Sequence, residues 1–219
     1  MRLEFRLMLI AAGLLAAVQS HGAGITAVIR GASGAPVQDA VLVAVPASGA
    51  SHAAPPEATE VVDQIDHEFV PYVKPIYVGS KVRFPNKDNV RHHVYSFSPA
   101  KRFELPLYAG TPAAPVLFDK PGVVVLGCNI HDWMIAYIYV SESPFYAKTG
   151  ADGSARLADL PAGRYNLRVW HPQLAGSEEA TRRTIELVAD RSVNAAWDIT
   201  LRALVRIRRA PTAGQHGRY

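Results

Sequence analysis

Hydrophobic and polar residues alternate in short runs along most of this chain, the period of β-strands with one buried face. Ile25, Ala27 and Ile29 form one such run, Ser33-Gly34-Ala35-Pro36 turns the chain, and Val41, Val43 and Val45 form the next. Lys81-Val82-Arg83-Phe84 ends at Pro85-Asn86, and His93-Val94-Tyr95-Ser96-Phe97 ends at Pro99. Pro121-Gly122 opens the apolar run 123–126, and the run 135–140 is closed by Ser143-Pro144. Residues 73–78 contain Pro75, which suits an edge strand or a bend. Beyond the turn at 149–153, strands are predicted at 155–160, 165–169, 184–188 and 197–201. No amphipathic helix of ordinary length stands out. The 16 Gly and 16 Pro fit many turns between short strands. The expected fold class is all-β, as in a sandwich or barrel.

Three stretches break the alternation. Arg2 and Arg6 precede an apolar segment, 7–18, which has the length of a secretory signal and is short for a membrane span. Residues 1–20 therefore read as a signal peptide, cleaved after Ser20 or alternatively after Ala23, with an N-terminal membrane anchor as the competing reading. Residues 47–58 are small, Pro-containing and aperiodic, as in a linker, and residues 210–219 read as a disordered tail. No other segment is apolar enough over enough length to span a bilayer, so a periplasmic protein with no stable span after signal removal is expected. At 49% hydrophobic residues the chain can bury a core, and a formal charge of +4 is too small to imply a nucleic-acid partner.

Export makes the single cysteine informative. Thiols in oxidising compartments pair, and Cys128 has no partner within the chain, so it is bridged between chains, free and reactive, or capped. Coordination to a metal is one cap. Cys128-Asn129-Ile130-His131-Asp132-Trp133-Met134 places thiol, imidazole and thioether at Cys-x2-His-x2-Met between two predicted strands. A tight loop there can turn all three side chains toward one point. Thiolate and thioether are soft donors, and two His, one Cys and a weak axial Met describe a blue-copper site, whereas zinc has little use for a thioether. The site then needs one more His from elsewhere in the chain. The plain alternative is a buried Cys and Met acting as core residues.

The segment Phe84-Pro85-Asn86-Lys87-Asp88-Asn89-Val90-Arg91-His92-His93-Val94-Tyr95 resembles the first-histidine loop of the small cupredoxins, amicyanin above all. In that family an Asn stands six residues before a His that is followed by x-Val; here these are Asn86, His92 and Val94. Cys-x2-His-x2-Met resembles the short amicyanin-type loop. The resemblance covers residues 58–141. It implies a Greek-key cupredoxin domain binding one type 1 copper through His92, Cys128, His131 and Met134, with Asn86 tethering the two ligand loops. His93 is a departure from the family. Alternation sends neighbouring strand residues to opposite faces, so one of His92 and His93 faces the metal, and the Asn86 and Val94 registers point to His92. Asp132 and Trp133 make the surface around His131 more acidic and bulkier than the family's apolar patch. Of the other histidines, His67 reads as a surface residue, His171 as a satisfied strand-end residue and His52 as part of the linker. His21, if it becomes the N-terminus, could offer an amine-imidazole brace, but that leaves the Cys-Met loop unexplained.

Thr149, Asp152-Gly153 and the stretch Leu160-Pro161-Ala162-Gly163-Arg164-Tyr165-Asn166-Leu167-Arg168-Val169 resemble the carboxypeptidase regulatory-like domain. The opening strands and G-x-P turn of such a domain are missing just before residue 149 but present at 25–45. The expectation is a discontinuous sandwich, residues 24–50 plus 144–205, into which the cupredoxin is inserted or to which it is joined. The cupredoxin likeness implies one-electron transfer, with His131 as electron port and a dehydrogenase and a cytochrome as redox partners, as in amine (methylamine) utilization. A copper-trafficking protein is the alternative, and a surface or assembly protein a third. An enzyme is not expected, because four protein ligands leave no open position.

Overall fold

The computed structural model describes residues 23–49, 59–112 and 114–203; the expected signal peptide, His21, His52 and the tail lie outside them. In chain order the first strands are β1 (Ala23–Gly31), β2 (Val41–Pro46), β3 (Glu60–Val61), β4 (Asp63–Ile65), β5 (Glu68–Val70) and β6 (Val73–Tyr77). Next come β7 (Lys81–Arg83), β8 (His92–Ser98), β9 (Lys101–Tyr108), β10 (Val116–Leu117), β11 (Gly122–Gly127) and β12 (Ile135–Ser141). The last are β13 (Tyr146–Lys148), β14 (Ser154–Leu160), β15 (Gly163–Trp170), β16 (Arg183–Leu187) and β17 (Ser192–Ile199). Among the described residues a 3-10 turn, Glu178–Thr181, is the one helical segment, and no helix is long and apolar enough to cross a membrane. The protein is an all-β sandwich structure.

Residues 60–141 form a five-stranded sheet, ordered β6-β12-β11-β8-β9, and a three-stranded sheet, β10-β7-β3, with the β4–β5 hairpin beside them. Alternation places Val94 of β8, Val124 and Leu126 of β11, and Ala136 and Ile138 of β12 on the inner side with Phe69, Phe84 and Phe118. Fully burying a Phe or Leu contributes about 1.5–3 kcal/mol, so this cluster is what holds the sheets together. The edge strand β9 carries a bulge opposite His92 and Val94, where Tyr108 and Leu105 are their partners. Pro106 sits within that bulge, where a missing N–H disturbs no ladder bond.

Among the described residues, strands β1 and β2 pair only with strands that follow residue 145. β1 runs antiparallel to β14 and parallel to β17, and β2 lies between β13 and β15 in the sheet β13-β2-β15-β16. Between these sheets lie Ile25, Ile29, Leu42, Leu167, Val169 and Trp197. Local chemistry closes the ends. The Thr149 hydroxyl accepts from the Ala40 N–H (2.9 Å) and donates to the Val37 carbonyl (2.7 Å). Gly153 has φ +73°, and a Cβ there would stand 2.5 Å from the Ile29 carbonyl oxygen. The Tyr165 hydroxyl donates to the Pro161 carbonyl at 2.8 Å.

β2 is apolar on both faces because both are covered. Leu42 and Ala44 face the β1 side, while Val41 and Val43 pack with Val73 and Tyr139, against which Tyr137 and Trp170 also lie. Polar contacts reinforce this junction. The Tyr139 hydroxyl donates to Glu178 at 2.6 Å, and Arg168 pairs with Glu142 and Glu178.

Candidate metal centre

The inner parity of two adjacent strands delivers the first two donors. β8 begins at His92, on the same face as Val94, and β11 ends one residue before Cys128, on the face of Val124 and Leu126. Gly127 opposes Tyr95, and a Cβ at Gly127 would lie 2.8 Å from the Tyr95 ring. The glycine thus lets that ring lie against the backbone just before Cys128. The loop to β12 is tight: the Met134 N–H donates to the His131 carbonyl at 2.9 Å, which folds His131 back toward the sheet.

Three donor atoms converge. Cys128 Sγ lies 3.9 Å from His92 Nδ1 and 3.9 Å from His131 Nδ1, and the two nitrogens are 3.2 Å apart. Donors held about 2.0–2.3 Å from a single ion stand roughly 3.5–3.8 Å apart in a plane, so the triangle has the size of a metal site. His92 is 0% exposed, Cys128 3% and Met134 1%, and Met134 belongs to the same buried cluster as Cys128. Burial, and then the neighbouring His92 and His67 rings, hold His131 below the usual imidazole value. It is then neutral near pH 7, the form a metal takes. His93 goes to the opposite face, where Nε2 lies 3.0 Å from Glu104 Oε1 without hydrogen-bond alignment and the ring packs on Tyr95.

The loop before His92 is laced to its surroundings. Asp88 Oδ2 lies 2.7 Å from His92 Nε2, which leaves Nδ1 as the nitrogen facing Cys128. Burial pushes the Asp88 carboxyl up, but hydrogen bonds from the His67 backbone, the His92 ring and the Asp66 backbone outweigh it and hold the group below its usual value. The Asn86 amide donates to the carbonyls of Val90 (2.8 Å) and Tyr108 (2.9 Å), and its oxygen accepts from the Asp88 N–H (3.0 Å). These partners lie on the His92 loop and on β9. The tether to the Cys128 loop expected of Asn86 is not among them, because its amide is used up on its own side. Tyr108, opposite His92, donates to the Phe84 carbonyl, accepts from Gln64 at 2.6 Å, and is pushed up to about 12 by burial.

His67, read from the sequence as a surface residue, stands at this site. Its ring centroid is 4.9 Å from that of His131 and 5.6 Å from that of His92, near-perpendicular to both. It sits in the two-residue turn of the β4–β5 hairpin, where Asp66 and His67 have φ +53° and +61°. A Gly in that turn would have announced the hairpin; Asp-His does not. Trp133 also packs on His131, with ring centroids 5.1 Å apart. His131 is partly exposed, with the rings of His67, His92 and Trp133 against it. His171 lies apart, buried in the second sandwich with Nδ1 accepting from the Gln173 N–H at 3.1 Å.

No protein-family model matches the chain, and no curated protein matches it. Solved structures do. A copper-containing nitrite reductase from Thermus scotoductus aligns at 27% identity and TM-score 0.37, over 44% of this chain and 25% of its own length. A purple cupredoxin from Nitrosopumilus maritimus aligns at 22% identity and TM-score 0.34, over 37% of this chain and 99% of its own. A mutant amicyanin in its Cu(I) form aligns at 19% identity and TM-score 0.35, over 45% of this chain and 98% of its own. This chain thus spans a quarter of the reductase and nearly all of the two small proteins, which account for less than half of it.

Proposed function

We propose that residues 58–141 form a cupredoxin domain that binds one type 1 copper ion and carries single electrons between redox partners. The observation that supports this most is the buried triangle of His92 Nδ1, Cys128 Sγ and His131 Nδ1, with separations of 3.2–3.9 Å. Two imidazoles, a thiolate and the Met134 thioether would hold the ion, a donor set that suits copper better than zinc. When bound, copper supplies one-electron cycling between Cu(I) and Cu(II). The protein's part is to keep its donors in place and water out. Asp88 fixes the His92 ring, the turn at 131–134 fixes His131, and β11 fixes Cys128. Four protein ligands leave no open position for a substrate, so the reading is a carrier and not an enzyme.

The reading extends to the rest of the chain. Export to the periplasm explains a lone cysteine that stays unpaired. Cleavage after Ser20 fits better than after Ala23, because Ala23 is 2% exposed and paired with Leu160 in β1. Strands β1, β2 and β13–β17 make the carboxypeptidase regulatory-like sandwich, discontinuous around the cupredoxin. A dehydrogenase as electron source and a cytochrome as acceptor, in methylamine utilization, are the partners this likeness brings.

Oxidised protein loaded with copper is expected to absorb intensely at roughly 600 nm, the thiolate-to-Cu(II) band of a His2Cys site, and Cys128→Ser to lose it. A protein that takes up Cu(I) only and stays colourless would instead be a trafficking protein. No uptake of either state would end both readings.

A further inference from the structure

His67 offers both of its backbone groups to the two loops that carry the histidine donors. Its N–H donates to Asp88 Oδ2 at 3.0 Å, the same oxygen that lies 2.7 Å from His92 Nε2. The preceding Asp66 N–H takes the other carboxylate oxygen at 2.7 Å. The His67 carbonyl accepts from Trp133 Nε1 at 3.2 Å, two residues past His131. The His67 ring lies edge-on to both the His92 and His131 rings, near-perpendicular to each. Asn86, by contrast, spends its bonds on the His92 loop and β9. The turn holds this place with a left-handed His, where Gly would be the easier residue.

We propose that the Asp66–His67 turn is the clamp between the two ligand loops, with His67 the positioning residue. Through Asp88 it holds the loop of His92, through Trp133 it holds the loop of His131, and its ring keeps the two imidazoles at a fixed angle. This rests on reading the site as a copper centre. The clamp's effect is to set the geometry at the metal and to slow its release.

The test uses the full chain loaded with copper. His67→Gly removes the ring at a φ that Gly favours, so the hairpin keeps its backbone. Trp133→Phe keeps an aromatic ring and removes the indole donor. Extraction of Cu(I) by a colorimetric chelator is expected to quicken about tenfold in His67→Gly and by less in Trp133→Phe, the scale on which outer partners of metal ligands act. The intensity ratio of the thiolate-to-Cu(II) bands should shift in both variants, which a merely structural role would not cause. Extraction within twofold of the parent, with an unchanged band ratio in both variants, overturns the proposal. If the parent itself takes up no copper, the copper reading has failed separately. The clamp is then judged on the metal-free chain by alkylation of Cys128. A clearly higher rate in His67→Gly or in Trp133→Phe supports it, and rates indistinguishable from the parent in both variants overturn it.

Discussion

The two sandwiches are built alike, from paired strands with alternating buried residues, yet they treat polar groups at their ends in opposite ways. In the β1–β2–β13–β17 sandwich the end residues satisfy backbone. Thr149 bridges Ala40 and Val37, and Tyr165 caps the Pro161 carbonyl. In the other sandwich His92, Cys128 and His131 turn inward and meet one another. Buried polar atoms without strong partners are costly, and a bound ion would take up the lone pairs that converge here. The difference separates scaffold from chemistry without reference to any relative.

Variants can break this separation. The largest effect is expected for His92→Ala, with complete loss of the copper band in an absorption spectrum while the metal-free chain still folds. Leu167→Ala, in the core of the other sandwich and 0% exposed, should cost about 2–5 kcal/mol in chemical denaturation and leave the band's position unchanged. If it moves the band, the two regions are not separable. Asn86→Ala removes three side-chain hydrogen bonds and should cost about 1–3 kcal/mol, with a shifted band because the His92 loop loosens. The smallest effect is expected for His93→Ala: about 1 kcal/mol or less, with the band intact. Loss of colour in that variant would reverse the assignment of the two histidines.

Much of this was legible in the sequence where side-chain parity and turn chemistry agree. The alternation around Val94 separates His92 from His93, and the apolar run before Cys128 sets the face on which its thiol emerges. Gly153 and Thr149 mark a turn whose constraint is visible only as contact with Ile29 and Val37. Other elements left little trace. β9, Lys101–Tyr108, carries Lys101, Arg102, Glu104 and Pro106, because an edge strand with a bulge needs neither a buried face nor every N–H. β17 starts five residues before the expected run at 197, since Ser192, Val193 and Asn194 are held by parallel pairing with β1, a non-local contact. The role of His67 was hidden for a similar reason. Its partners Asp88 and Trp133 are 21 and 66 residues away, and no local pattern encodes them.

The position of β2, with a core on each face, bears on how the chain acquires its structure. β1 and β2 are made before their partners and must wait for residues far downstream: Val37 and Thr149 are 112 positions apart, and Ala40 and Thr149 are 109. Closing loops of that length slows pairing, while residues 60–141 can complete their contacts in the meantime. β2 is thus apolar on both sides and, like β1, unpaired for the longest interval. During synthesis, β2 is the segment most exposed to wrong partners.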